Sequence, residues 1–168
     1  MQFGLAKIGA DKPFNYKMPC NNARIEKIDK WPWKIPVKSH RCILPVSEFC
    51  EPCYWGPPVR TEVYFKPTED EFLGVAGIFN IWRTQGSTNF YSMAFLMRPA
   101  SPYVMENGHQ RQPFFIKPDG YDAWMQPGER DPKESLAILR EYVDEQPFEY
   151  TLARELEEET DGSPCRSR

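Results

Sequence analysis

Three short stretches hold residue types that could share one chemistry. Asn22-Ala23-Arg24-Ile25-Glu26 sets an amide, a guanidinium and a carboxylate side by side. Arg41-Cys42-Ile43-Leu44-Pro45-Val46-Ser47-Glu48-Phe49-Cys50-Glu51 is an apolar run that ends on a thiol and a carboxylate. His109-Gln110-Arg111-Gln112-Pro113-Phe114-Phe115-Ile116 supplies a histidine two residues before an arginine. A carboxylate in a tuned environment and a histidine can move protons near neutral pH. An asparagine binds hydroxyls or amines without adding charge, and paired arginines grip phosphates. Each residue also has a plain alternative. His109 alone reads as a satisfied histidine, Asn22 as a turn residue, and Arg24 and Arg111 as surface ion-pair partners. Glu51 alone reads as a solvated carboxylate; between Cys50 and Pro52, behind an apolar strand, it reads as partly buried.

The elements that must position these residues are mostly strands. Residues 1–40 read as irregular, broken by Pro13, Pro19, Pro32 and Pro36. Residues 41–50 read as a buried strand running into a turn. Thr61 to Phe65 alternates like a strand. Phe72 to Trp82 is a strong strand whose Gly74 and Gly77 suggest a bend or a close backbone approach. The sequence Gln85-Gly86-Ser87 turns into a second strong strand, Asn89 to Met97, paired with the first as a hairpin. A short strand at Pro113 to Ile116 and a helical turn at Tyr121 to Met125 follow. The clearest helix runs from Lys133 to Val143, with Asp131 as its cap, Pro132 at its first position and Leu136, Ile138, Leu139 and Tyr142 as its apolar stripe. Phe148 to Leu152 is a last strand. The expectation is an α+β fold, mostly antiparallel β with a few peripheral helices, in one domain over residues 1–154. Residues 155–168 read as an acidic, polar tail.

Composition bounds the function. The chain has 168 residues, 40% hydrophobic and 14% aromatic, enough for a core. Its 17 prolines disfavour a helical bundle. The formal net charge is -3, so nucleic-acid binding needs a local basic surface. The sequence shows neither a membrane-length apolar run nor a signal-peptide pattern, and a cytoplasmic protein without disulfides is expected. Cys50-Glu51-Pro52-Cys53 and the upstream His40 and Cys42 offer zinc-type ligands. A single C-x-x-C without a second pair is a weak signal, and no metal or other cofactor is expected. Trp31, Trp33, Trp55 and Trp82 could stack on bases or pack in the core. Trp31-Pro32-Trp33-Lys34, set among lysines, is the best stacking candidate.

Taken in order, these stretches resemble the SRAP family, the SOS response-associated peptidases. Asn22 to Glu26 resembles the family's Asn-Ala-Arg-x-Glu signature. Arg41 to Glu51 is similar to its Arg-Cys-Leu-x-Pro…Phe-Tyr-Glu stretch, with Cys50 in place of tyrosine. Gly77-Ile78-Phe79-Asn80-Ile81-Trp82 resembles Gly-Leu-Trp-x-x-Trp, and His109 to Ile116 resembles His-x-Arg-Met-Pro-Val. Trp124 fits the tryptophan after that motif, and Phe3-Gly4-Leu5 resembles the strand before the first. The spacing looks closest to phage-type members.

The resemblance implies binding of single-stranded DNA at abasic sites in the DNA-damage response. It also implies a thiazolidine crosslink from an N-terminal cysteine to the ring-opened sugar. Asn22, Glu51 and His109 would surround that cysteine. Arg24, Arg111, Phe3, Trp31 and Trp33 would contact DNA. Residue 2 here is Gln2, so residues 1–168 as they stand are not expected to close the thiazolidine. Cys20 and Cys50 lie near the motifs but carry no α-amine. A monomer is expected, with DNA as partner and no membrane. The alternative is a catalytically inactive, phage-encoded module that contacts DNA or a host protein without covalent chemistry. General proteolysis, as the family name suggests, ranks last, because no Ser/His/Asp or Cys/His arrangement is evident.

Overall fold

The computed structural model describes residues 2–6, 20–54, 62–83 and 89–153. The turn expected at 85–87, Trp55 and the tail at 155–168 lie outside them. The centre of the fold is the long hairpin expected from sequence. Strand β6 is Leu73–Arg83 and β7 is Asn89–Pro99, paired antiparallel from Gly77↔Phe95 to Arg83↔Asn89. Strand β3, Arg41–Val46, pairs antiparallel with β6 on its other side.

Residues 1–40 depart from the irregular reading. Gln2–Phe3 (β1) and Asn22–Arg24 (β2) are short strands that pair parallel with β7. The sheet is therefore mixed. Ile25–Lys27 forms a 3-10 turn and Lys34–Ser39 forms helix α1. Strands of two and three residues carry no periodicity of their own, and only pairing to a distant neighbour makes them strands. Asn80 helps to fix the first of them. Its Nδ2 donates to the carbonyl of Ala6, whose own N–H donates to Ser92 Oγ, at 2.7 and 2.8 Å.

The expected strand at 113–116 is two, Arg111–Pro113 (β8) and Phe115–Ile116 (β9), on different partners. β8 pairs with β7 and β9 with β6. Between them, Phe114 N–H donates to the Leu96 carbonyl and the Phe114 carbonyl accepts from Ala76 N–H, both at 2.8 Å. This segment is a wedge where β6 and β7 part, and it curls the sheet.

The stretch 41–50 also divides. After β3 a turn at Ser47-Glu48 leads to β4, Phe49–Pro52, in a second sheet. There β4 and β10, Phe148–Leu152, flank β5, Glu62–Pro67, all antiparallel. Helix α2, Pro102–Glu106, capped by Ser101, was not foreseen. Helices α3, Tyr121–Met125, and α4, Pro132–Glu141, match expectation, and Asp131 accepts from Lys133 N–H at 2.8 Å. Leu139 is the fully buried residue of the α4 stripe, with Leu136, Ile138 and Tyr142 packed beside it.

Strand β6 is apolar without alternation because its sheet is covered on both faces. Ala76 and Ile78 pack with Ala94, Leu96, Phe114, Ile116, Trp124 and Leu139 on the helical side. Val75 packs with Phe49, Val63, Phe65, Phe115 and Phe148 between the sheets. Phe65, Phe115 and Trp124 are fully buried, each stabilising by about 2–3 kcal/mol. The glycines mark close approaches. A Cβ on Gly74 would lie 2.2 Å from the Tyr121 hydroxyl, and one on Gly77 would lie 2.7 Å from Leu44 Cδ1.

Arg41, first residue of the second motif, is structural. It is buried, and its guanidinium donates to the carbonyls of Val37, Lys38, Trp124, Gln126 and Gly128. It ties the end of α1 to the chain after α3. Trp124 returns a bond from Nε1 to the Cys42 carbonyl at 2.9 Å. Among the described residues, no helix is long and apolar enough to cross a membrane.

Candidate active site and nucleic-acid interface

The three motifs meet at one end of β7. Asn22 and Arg24 lie on β2 opposite Phe95 and Met97, and Arg111 lies on β8 opposite Pro99. β4 of the second sheet brings Glu51 across to them. Asn22, Arg24, Glu51, Tyr54, His109 and Arg111 line one cleft of about 510 Å³, with Pro52, Met97 and Gln110. Behind it lies an apolar cavity of about 290 Å³. Phe3, Phe49, Val75 and Phe95 line it, and it shares Asn22, Glu51 and Met97 with the cleft.

Glu51 therefore stands between a polar cleft and an apolar cavity. Its side chain is 13% exposed, and burial raises its pKa to about 7. Its neighbour is His109, with Oε2 and Nε2 3.5 Å apart. His109 is buried too. Burial is the main effect and lowers its pKa, the bond to the Arg111 carbonyl acts upward, and the Arg111 charge acts downward.

The distance suits an ion pair, but burial opposes both charges. Burial therefore favours the neutral arrangement, and the bond at Nδ1 fixes which ring nitrogen faces Glu51. Nδ1 lies 2.7 Å from the Arg111 carbonyl oxygen, which can only accept, so Nδ1 carries the hydrogen. The 3.3 Å contact of Arg111 N–H with the same nitrogen is then not a hydrogen bond. Nε2 is the ring nitrogen that faces Glu51, and burial of both groups favours one proton between them, on the carboxyl, over an ion pair. Such a pair can give a proton to one oxygen and take one from another.

The two arginines differ. Arg24 is exposed on the cleft. Arg111 Nη1 donates to both carboxylate oxygens of Glu26, at 2.7 and 2.8 Å. This pair joins the first and third motifs and leaves Nη2 and Nε of Arg111 outside the contact with Glu26.

Of the other expected DNA contacts, Phe3 is 41% exposed, lies against Phe95 at 4.8 Å and lines the apolar cavity rather than the cleft. Trp33 packs on the helical-side core, and Trp31 is 64% exposed; neither lines the cleft or the cavity. Cys20 is in the core. Cys50 is exposed on the cavity side, and its thiol is pushed up by burial and by the charges of Glu62, Glu51 and Glu48, against a hydrogen bond with Tyr64. Cys42 is held at about 12 by burial. Thiols so raised are weak nucleophiles. Among the described residues no three His, Cys, Asp or Glu side chains gather as metal ligands would.

Tyr54, Met97 and Gln110 are cleft residues that sequence reasoning missed. Tyr54 carried one weak signal, an aromatic three residues after Glu51. Its place depends on a bond from its N–H to the Gly108 carbonyl at 2.8 Å, which no local pattern reveals.

The profile described as SOS response associated peptidase (SRAP) matches residues 1–157. The chain belongs to the SRAP family. Relatives of this SRAP chain include two proteins named abasic site processing protein YoqW, one from Bacillus subtilis and one from Bacillus phage SPbeta. Both are 26% identical over 133 residues, 79% of this chain and 58% of theirs. Abasic site processing protein YobE of Bacillus subtilis is 27% identical over 134 residues, 79% of this chain and 59% of its own. The SRAP chain thus spans less than three fifths of the length of these relatives. A solved protein from Bacteroides thetaiotaomicron shares its fold at a TM-score of 0.70 and 16% identity, covering 90% of this chain and 67% of that one. A phage-related protein from Bordetella bronchiseptica does so at 0.65 and 22%, covering 91% and 70%.

Proposed function

We propose that the cleft binds single-stranded DNA at abasic sites and that Glu51 and His109 move protons on the exposed sugar. The observation that carries this reading is the convergence of Asn22, Arg24, Glu51, His109 and Arg111 on one cleft, with a carboxyl held near pH 7. The relatives' names, abasic site processing proteins, support the same substrate.

Arg24 and the free edge of Arg111 take phosphates on the strand. Asn22 holds the deoxyribose by its hydroxyl. An abasic sugar is a cyclic hemiacetal. To open it, a base takes the proton of the C1′ hydroxyl, the C1′–O4′ bond breaks and O4′ gains a proton. Glu51 and His109, with one proton between them, supply the acid and the base, and the aldehyde results. A strand without a base at the lesion also bends into a cleft at little unstacking cost.

Residues 1–168 are to be tested against oligonucleotides with one abasic site, intact single strands and duplex. The expected result is tighter binding of the abasic single strand, weakened by salt. Equal binding of single strand and duplex at low salt would refute the reading. A denaturing gel of the same mixtures reports covalent capture. Binding without a covalent band marks the chain as a non-covalent DNA module.

A further inference from the structure

We propose that Tyr54 is the stacking residue for the nucleobase next to the lesion, a step that rests on the reading of the cleft as an abasic-site binder. Among the described residues lining the cleft, Tyr54 carries its one aromatic ring besides the imidazole of His109. The ring sits 5.1 Å from the His109 ring, tilted by 33°, and is 58% exposed. One face is therefore supported and the rest is open.

Its backbone is held by the bond to the Gly108 carbonyl, immediately before His109. Gly108 has φ +99°, in the region that favours glycine. The bond anchors the Tyr54 backbone beside His109, and the ring lies against the imidazole of the Glu51–His109 pair. A sugar placed against that pair has lost its own base, so the adjoining base has lost its stacking neighbour on that side. Tyr54 offers a π-face there, sequence-tolerant because every base has one. Phe3 and Trp31, also exposed aromatics, line the apolar cavity and neither cavity, respectively, and do not compete for this place.

The test uses a single-stranded oligonucleotide with a tetrahydrofuran abasic analogue and 2-aminopurine on its 5′ or its 3′ side. Binding is followed by anisotropy and stacking by 2-aminopurine quenching. The unsubstituted protein should quench the probe at one of the two positions. Tyr54→Leu, which keeps apolar bulk, should lose the quenching and about five- to a hundredfold in affinity. Tyr54→Phe should keep both, and thermal midpoints should match.

Binding with no quenching at either position overturns the proposal while leaving the abasic-site reading intact. Full affinity and quenching in Tyr54→Leu do the same. Absence of any binding by the unsubstituted protein overturns both. Should Tyr54→Leu lose its fold, quenching in the unsubstituted protein decides.

Discussion

Replacing Glu51 by glutamine tests the central electrostatic argument without any DNA. Glutamine keeps the shape and removes the titration. The carboxyl moves from its ordinary 4.5 to about 7 because the surrounding protein buries it. The folded protein therefore holds this proton more tightly than the unfolded chain does. The associated stability is fully present below pH 4.5 and is lost as pH rises through about 7. At about 1.4 kcal/mol per pH unit, the loss is about 3 kcal/mol. With a side chain only 13% exposed, solvent screens little of it. Glu51→Gln should match the parent near pH 4.5 and be more stable by about 3 kcal/mol at pH 8. Urea unfolding at pH 4.5, 6 and 8 reads this as a midpoint gap that opens with pH, reaching roughly 1–2 M for a slope of about 2 kcal/mol/M. A gap that stays constant would refute the burial argument. A variant less stable than the parent at pH 7 would show that Glu51 is ionised and paired with a protonated His109.

Other perturbations probe the scaffold and the DNA grip. Arg24→Ala should weaken single-stranded DNA binding and flatten the slope of log affinity against log salt by about 0.7, read by anisotropy across a salt series. Arg41→Met leaves several buried carbonyls without donors and should cost roughly 3–5 kcal/mol in urea unfolding, with no specific effect on the cleft's pH behaviour. Gly74→Ala drives a methyl into Tyr121 and should destabilise by about 1–3 kcal/mol; Tyr121→Ala in the same chain should cancel most of the added cost in a double-mutant cycle.

The sequence alone determined the elements whose signal is local. The β6–β7 hairpin is legible because two long apolar runs flank a turn sequence, α4 because Asp131-Pro132 precedes a stripe, and the close approaches at Gly74 and Gly77 because glycine in a strand has few other uses. The four ordered motifs were enough to select the family and to nominate Asn22, Glu51 and His109. Tertiary structure decided the rest, because it depends on residues far apart in the chain. β1 and β2 are strands only by virtue of β7, and Phe114 splits one expected strand because β6 and β7 diverge around it. Arg41 stands in a motif but serves the scaffold. Tyr54 enters the cleft through a bond to Gly108. Whether Glu51 is an ordinary carboxylate or a proton donor at neutral pH is set by how deeply the packed strands bury it. The residues around it come from β1, β2, β3, β4, β6, β7 and β8, and desolvation is a property of that three-dimensional surrounding rather than of any neighbouring letter.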